Sequence, residues 1–208
     1  FASHAWRMRN NGAFIPKYFI HVDPNGHAGK SFNAAALAQV YGTRFANAGA
    51  TIADMVDTYN SWIFDYLYIN FEEVQYSNGK GFDIRDKLKQ LTTKSGSMRA
   101  MYRVAETAEH KAIISINTNQ SDLYGLINGD PADLRRLVII EFKKITAEEI
   151  AEWESIVDVT IHDPDFGYSL FYYMAHDYEL PSWFKPTEHC TPDIRDEYIC
   201  RVKGENEN

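Results

Sequence analysis

A short segment from Asn25 to Ser31, with the sequence NGHAGKS, has the residue types that bind the phosphates of a nucleotide. Gly29 lets the backbone approach closely, Lys30 can reach the β- and γ-phosphates, and the Ser31 hydroxyl can bind Mg²⁺. The pattern G-x-x-x-x-G-K-[ST] is incomplete here, because Pro24 stands at the first glycine position. A chance turn before a helix is the alternative interpretation.

Two adjacent carboxylates, Glu72 and Glu73, follow an apolar run over residues 66–71. One carboxylate can hold a metal ion while its neighbour orients and deprotonates an attacking water. Acids directly after a buried strand are costly unless they face a cation or solvent. A solvated turn is the alternative, and the phosphate-binding segment earlier in the chain argues against it.

Neutral amides and a pair of arginines follow further along the chain. Asn117 and Asn119 end an apolar segment, where an amide can hydrogen-bond the γ-phosphate or the attacking water without adding charge. Arg135 and Arg136 precede another apolar segment and can neutralise charge on a transferring phosphoryl group. Taken singly, such asparagines are turn formers and such arginines are solvated or paired with carboxylates.

Alternating strands and helices are needed to position these residues. The apolar, β-prone segments are 18–22, 66–71, 112–116 and 137–142, and the helical segments are 31–41, 51–64 and 83–91. This alternation predicts an α/β fold with a parallel sheet flanked by helices. The polar segment 97–111 is consistent with a hairpin or a long loop. Thr146 and Glu149 form a capping-box pattern that predicts a helix over 146–157, and the aromatic-rich segment 163–178 is also predicted to be helical.

The length and composition limit the domain organisation and the partners. The chain has 208 residues, of which 45% are hydrophobic, enough for one core with a small appendage. We therefore expect a core over residues 1–145 and a small helical C-terminal extension over 146–208 whose polar tail is frayed. The start at Phe1 suggests a piece of a longer protein. A net charge of −8 argues against a surface that coats nucleic acid generally, so any such contact must be local.

Cofactors other than a nucleotide and its metal, and membrane insertion, are not predicted. Cys190 and Cys200 lack the paired spacing of zinc sites or of a disulfide framework, which fits an intracellular, reducing compartment. No apolar run is long enough to span a bilayer, and no signal peptide is recognisable.

The ordered set of motifs resembles superfamily 3 helicases, the AAA+-type motors of small DNA viruses, plasmids and primase–helicase proteins. The first motif corresponds to Asn25–Ser31, the second to Tyr68–Glu73 and the third to Ile113–Asn119. The Glu72–Glu73 ending is similar to the paired glutamates of parvovirus-type replication proteins. An intermediate motif, an amphipathic helix leading into a DNA-contacting hairpin, is matched by residues 87–93 and 99–111. The resemblance covers about Tyr18 to Lys144.

This resemblance implies a P-loop NTPase (AAA+-like) fold and an ATP-dependent replicative helicase that moves along single-stranded DNA, with RNA as the alternative. It further implies a homo-hexamer, with ATP and Mg²⁺ bound between subunits, and a primase or origin-binding domain outside this chain. The residues implied to contact the nucleotide are Asn25, Gly26, His27, Ala28, Gly29, Lys30, Ser31 and Phe32, and those implied to hold the metal are Ser31 and Glu72. The implied catalytic residues are Lys30, Glu72, Glu73, Asn117, Asn119, Arg135 and Arg136.

Some roles within the implied site stay open. Asn117 is the preferred sensor and Asn119 the alternative, and either Arg135 or Arg136 would complete the site of a neighbouring subunit. The residues implied to line a central channel and to contact single-strand phosphates are Arg99, Arg103, His110 and Lys111. Two other classes remain: a different P-loop phosphotransferase such as a small-molecule kinase, and a nucleotide-gated assembly or packaging scaffold with little turnover. The intact pair of glutamates argues against the scaffold.

Overall fold

Five parallel strands form the central sheet of the protein. The computed structural model describes residues 1–24, 26, 28–73, 81–119, 135–142, 146–182, 184 and 186. The strands in chain order are β1 (Tyr18–Val22), β2 (Ala46–Ala50), β3 (Tyr68–Phe71), β4 (Ser95–Met98), β5 (Glu106–Glu109), β6 (Ile113–Thr118) and β7 (Leu137–Glu141). The central sheet has the spatial order β2-β3-β6-β1-β7, and β4 and β5 pair separately as an antiparallel hairpin. The predicted α/β architecture with a parallel sheet is confirmed.

Helices cover both faces of this sheet. They are α1 (Ala2–Arg9), α2 (Lys30–Tyr41), α3 (Ile52–Val56), α4 (Gly81–Leu91), α5 (Ala147–His162) and α6 (Phe166–Tyr172), with a 3₁₀-helix over Ser61–Asp65 and a π-helix over Tyr173–Asp177. Because alternate side chains of a strand point to opposite faces, the sheet has two separate cores. One face packs its isoleucines and Phe71 against α3 and α4, and the other packs Tyr68 and Ile113 against α1 and α2.

In the chain, the β4–β5 hairpin comes between β3 and β6, but it is not part of the central sheet. Asn60, just before the 3₁₀-helix, anchors it: its Nδ2 donates to the Ser97 carbonyl at 2.9 Å and its Oδ1 accepts from the Arg99 N–H at 2.7 Å. The tip is exposed to solvent, with Tyr102 94% and Val104 86% exposed. The sequence left this segment as a hairpin or a loop, and the structure shows the hairpin.

The structure of the segment between β2 and β3 contradicts one prediction. A single helix over residues 51–64 is wrong, because α3 ends at Val56 and Asp57 is extended, with ψ at 143°. Thr51 caps α3 through a capping box with Asp54. The hydrogen bonds of Asn60 to the hairpin hold this residue outside a helix, so the chain restarts as the 3₁₀-helix. Tertiary contacts thus override a helical periodicity.

The C-terminal helices pack on the core through α2. Thr146 caps α5, and both hydrogen bonds of its capping box with Glu149 are present, which confirms the predicted helix start. Gln39 of α2 donates to the Ile161 carbonyl of α5, and a Cβ on Gly167 of α6 would lie 2.8 Å from the Gln39 carbonyl oxygen. The boundary predicted at residue 145 and the polar tail lie outside the described residues, so the division into two units stays a prediction.

Among the described residues, no helix is long and apolar enough to cross a membrane. Within the same part of the chain, no group of three or more His, Cys, Asp or Glu side chains is arranged to hold a metal ion. Cys190 and Cys200 lie outside the described residues.

Candidate active site

The carboxyl ends of three neighbouring strands, β3, β6 and β1, carry the predicted site. Glu72 follows β3, Asn117 lies near the end of β6, and the phosphate-binding segment follows β1. The register pairs His21 with Asn117 across β1 and β6 and Phe71 with Ile116 across β3 and β6. Parallel pairing brings these strand ends to one edge of the sheet, where ligands of open α/β folds bind.

The loop before α2 has the backbone that an anion cradle needs. Gly29 caps α2 in the left-handed conformation, with φ at 85°, and Gly26 also has a positive φ, 75°. Asn25 and His27 lie outside the described residues. Ser31 is exposed in the first turn of α2, and the ring of Phe32 lies 6.5 Å from that of Phe166 in α6. The exposed start of α2 supplies free N–H groups and the positive end of a helix dipole.

Lys30 links this loop to two strand ends. Its Nζ donates to Asn119 Oδ1 at 2.6 Å and lies 3.1 Å from Asp23 Oδ2. Asp23 is 1% exposed, and the same Oδ2 accepts the Ala28 N–H at 3.0 Å. The buried carboxylate therefore bridges the lysine and one N–H of the loop.

Glu72 is held by two amides at the neighbouring strand ends. Its Oε1 accepts from Asn117 Nδ2 at 2.8 Å and from Asn70 Nδ2 at 2.7 Å. Burial raises the pKa of Glu72, while these two hydrogen bonds and the charge of Lys30 act in the opposite direction. A carboxylate with a raised pKa is a better proton acceptor at neutral pH. Glu73 is exposed and has a positive φ of 49°, so its backbone is no longer that of a strand.

Behind Asn117 lies His21, which is 5% exposed and whose Nδ1 is 2.9 Å from Asn117 Oδ1. Burial lowers the pKa of His21 to about 4, although the hydrogen bond with Asn117 favours protonation. The ring is therefore neutral at physiological pH. Since Asn117 Nδ2 donates to Glu72, its Oδ1 faces His21, and the histidine must carry its proton on Nδ1.

The donor set fits a nucleotide triphosphate with Mg²⁺. Lys30 and the start of α2 supply positive charge for phosphates, and Glu72 and Ser31 supply the carboxylate and hydroxyl oxygens that Mg²⁺ binds. Two asparagines lie at this edge of the sheet. Asn119 accepts a hydrogen bond from Lys30, and Asn117 donates one to Glu72. The arrangement brings together four of the predicted catalytic residues: Lys30, Glu72, Asn117 and Asn119.

The predicted arginines lie elsewhere. Arg135 and Arg136 precede β7, and the Arg136 carbonyl accepts the Tyr18 N–H at 2.9 Å, at the amino ends of β7 and β1. They are thus at the edge of the sheet opposite to Glu72. An arginine there is remote from Lys30 and Glu72 of its own chain.

The predicted nucleic-acid contacts divide into exposed and buried residues. Arg99, Arg103 and Lys111 are exposed on or beside the hairpin. His110 departs from the expectation, because it is 6% exposed and its ring stacks on Phe64 with 4.4 Å between centroids. Burial also lowers its pKa to about 4, so it carries no charge for a phosphate at neutral pH. The His110 ring therefore contributes to packing against Phe64.

Comparisons with known proteins bear on the fold. No protein-family model matches the chain, and no curated protein is significantly similar to it in sequence. The apo structure of the NrS-1 C-terminal region matches with a TM-score of 0.71 and 15% identity, covering 97% of this chain and 46% of that one. Another structure of that region matches with a TM-score of 0.66 and 13% identity over the same shares. This chain therefore spans less than half of those proteins.

At such low identity the likeness shows a shared fold. It confirms the α/β fold that the sequence predicted and that the resemblance to superfamily 3 helicases implied. A structure of JCV Helicase matches over 99% of this chain and 59% of that one at 16% identity, with a TM-score of 0.47 that is too low to argue from.

Four polar residues at the site were not predicted from the sequence: His21, Asp23, Asn70 and Ser115. All four are buried, in or directly after strands of the sheet. Polar residues at alternate positions of an otherwise apolar buried strand, such as Ser115 and Asn117, are the signal that could have revealed them.

Proposed function

We propose that this chain is the ATP-hydrolysing core of a superfamily 3-like replicative helicase that moves along single-stranded nucleic acid. The observation that carries the proposal is the convergence of Lys30, Glu72, Asn117 and Asn119 at one sheet edge. Each type of group needed for phosphoryl transfer to water is represented there: a cation for the phosphates, a carboxylate base and neutral amides. The two glutamates and the asparagine also count against a scaffold that only binds ATP.

In this proposal Lys30 and the start of α2 bind the phosphates, and Glu72 orients and deprotonates the attacking water. Ser31 would hold Mg²⁺ directly and Glu72 would hold it through a water molecule, and the ion would supply charge neutralisation at the phosphates. Asn119 accepts from Lys30 through Oδ1, so its Nδ2 could donate to a phosphate oxygen. Asn117 stays on Glu72 as the sensor.

The arginines support a site shared between subunits. Arg135 and Arg136 lie at the sheet edge opposite to Glu72, so either one could complete a site only on a neighbouring copy. We propose a homo-hexamer in which the nucleotide lies between subunits. Arg135→Ala or Arg136→Ala should then abolish hydrolysis and leave ATP binding within about twofold. Normal hydrolysis by both variants would contradict the shared site.

The exposed hairpin supports a contact with nucleic acid. Arg99 lies beside the exposed tip of the hairpin and Arg103 lies within it, so two exposed cations project together from an acidic chain. Electrostatic contact with phosphates of a single strand would be local and sensitive to salt.

The test is ATP hydrolysis with and without single-stranded DNA or RNA, with Lys30→Ala as the control. We expect the strand to stimulate hydrolysis and the substitution to abolish it. Hydrolysis that ignores nucleic acid would favour a P-loop phosphotransferase instead. Tight ATP binding without turnover would favour the nucleotide-gated scaffold.

A further inference from the structure

The carboxylate of Glu72 is held through one of its two oxygens. Asn70 and Asn117 both donate to Oε1, at 2.7 and 2.8 Å. They reach it from adjacent strands, β3 and β6. Two donors on one oxygen fix the plane of the carboxylate and make Oε2 the oxygen presented to a water or a metal ion.

The amide of Asn70 is itself fixed on every side. Its Nδ2 also donates to the Ala48 carbonyl at 3.2 Å, and its Oδ1 accepts from the Ser115 hydroxyl at 2.7 Å. The Ser115 oxygen lies 2.9 Å from the Tyr68 hydroxyl. Because Ser115 has a single proton and gives it to Asn70, Tyr68 must donate to Ser115. The chain of donors runs from Tyr68 through Ser115 and Asn70 to Glu72.

These residues share one face of the sheet and are shielded from solvent. Asn70 and Tyr68 are 0% exposed, and Ser115 is 2% exposed. A buried amide is costly unless all its groups are paired, and here the geometry of each pair determines which way the amide points. A reversed Asn70 amide would set its single oxygen against both the Glu72 carboxylate and the Ala48 carbonyl.

We propose that Asn70 is a positioning residue for Glu72, and that Ser115 sets the orientation of the Asn70 amide. Asn70 makes no contact with substrate; it acts by holding Oε1 so that Oε2 faces the attacking water. This inference rests on the proposed function, since it assigns Asn70 a role in hydrolysis.

The experiment compares Asn70→Ala, Ser115→Ala, Ser115→Thr and the double variant Asn70→Ala/Ser115→Ala. ATP hydrolysis, the Kd for ATP and urea unfolding are measured for each. We expect Asn70→Ala to lower kcat at least about tenfold and Ser115→Ala about threefold, with the Kd within about twofold. Ser115→Thr keeps the hydroxyl and should restore kcat. The double variant should be no slower than Asn70→Ala alone, because both residues act along one chain of contacts.

Thr92→Ala is the matched control. Thr92 is also buried, and its hydroxyl donates to the Leu88 carbonyl at the end of α4, away from the site. Its substitution removes a buried hydroxyl as Ser115→Ala does, and should lower stability without changing kcat. If Ser115→Ala slows hydrolysis no more than Thr92→Ala does, Ser115 has only a structural role and the proposal is overturned.

A second readout needs no turnover. In the nucleotide-free protein, the side-chain NH₂ protons of Asn70 should exchange slowly with water, and Ser115→Ala should accelerate their exchange while leaving those of Asn117 protected. Equal acceleration at both amides would overturn the proposal. If Asn70→Ala does not fold, the pair Ser115→Ala and Ser115→Thr decides by kcat and by this exchange.

The outcomes distinguish failure of the proposed function from failure of the proposed role of Asn70. Absence of ATP hydrolysis by the unaltered chain, with and without nucleic acid, overturns the proposed function and this inference with it. Normal hydrolysis by a folded Asn70→Ala variant, or losses that multiply in the double variant, overturn the inference alone.

Discussion

Asp23 Oδ2 lies 3.1 Å from the Lys30 ammonium and accepts the Ala28 N–H of the same loop. One buried carboxylate oxygen thus takes two of the positive partners that a phosphate would use. The ion pair holds Lys30 at the strand ends, and it places a negative charge beside the loop before α2. In the proposed function, ATP would either share these partners with Asp23 or displace it.

Asp23→Asn should therefore strengthen ATP binding. It removes a charge that repels the triphosphate and frees Lys30, so we expect the Kd for a non-hydrolysable ATP analogue to fall about three- to tenfold. Titration calorimetry at fixed Mg²⁺ measures this change. Asp158→Asn, at an exposed residue on α5, is the control for the loss of one negative charge. Weaker binding by Asp23→Asn would mean that the carboxylate mainly shapes the loop.

The two adjacent glutamates should behave differently. Glu72→Gln keeps the shape and the hydrogen bonds from both amides but cannot accept a proton, so we expect kcat to fall at least about 100-fold with the ATP Kd retained. Glu73→Gln, at an exposed side chain, should lower kcat less than about threefold. Steady-state hydrolysis and equilibrium binding check both. Equal losses would show that Glu73 also reaches the reacting water.

The backbone of Glu73 gives an independent check on that residue. Because its φ is 49°, Glu73→Gly should raise the free energy of unfolding by about 1 kcal/mol, measured by urea denaturation. Gly49 is a glycine without a positive φ, and Gly49→Ala is a reference for an ordinary glycine position with open space. Lower stability of Glu73→Gly would show that the side chain makes contacts that outweigh the strain.

The parts of the site that depend on local sequence patterns could be predicted from the sequence. The apolar runs over 18–22 and 66–71 predicted β1 and β3, and the turn with Lys30 predicted the loop between β1 and α2. The order of strands in space depends on crossovers and packing, and no local pattern revealed it. Strand β2, whose sequence ANAGA has no β-branched residue, was missed for the same reason, since pairing with β3 creates it.

The contacts between side chains were harder to predict from the sequence than the helices and strands. His110 was grouped with the cations because it lies in the segment 99–111 that resembles a DNA-contacting hairpin, yet its ring fills the space that Gly96 leaves open. Asn70 was missed because a polar residue inside a buried strand has meaning only when the facing residue, Ser115, is known. Such pairings are long-range, and residue spacing alone does not specify them.

The hairpin predicts a measurable salt dependence. Arg103→Ala removes one exposed cation, so binding to single-stranded DNA should weaken and the magnitude of the slope of log K against log salt should decrease by about 0.7. Fluorescence anisotropy at several salt concentrations measures this slope. Arg44→Ala, at an exposed arginine near the start of β2, should leave the slope unchanged. A slope that responds equally to both would place the nucleic acid elsewhere.

Buried neutral histidines predict that acid destabilises the fold. Burial lowers the pKa of His21 and of His110 to about 4 in the folded chain, and it also lowers that of His4, whereas the unperturbed value is 6.5. Between pH 6.5 and 4 the unfolded chain therefore binds more protons, and the free energy of unfolding decreases as the pH falls through this window. Each histidine contributes up to about 1.4 kcal/mol per pH unit. Urea denaturation at pH 7.5, 6 and 5 measures the slope.

His110→Phe isolates one of these contributions. The phenyl ring can keep the stack on Phe64 but cannot titrate, so stability at pH 5 should approach its value at pH 7.5 more closely than in the unaltered chain. The nearby charge of Lys87 adds to the cost of protonating His110, so Lys87→Met should also flatten the slope, by a smaller amount. His162→Gln, at an exposed histidine of α5, is the control. His110→Phe could instead leave the dependence of the free energy of unfolding on pH unchanged. His110 would then be accessible to protons before the chain unfolds, and its titration would not be linked to unfolding.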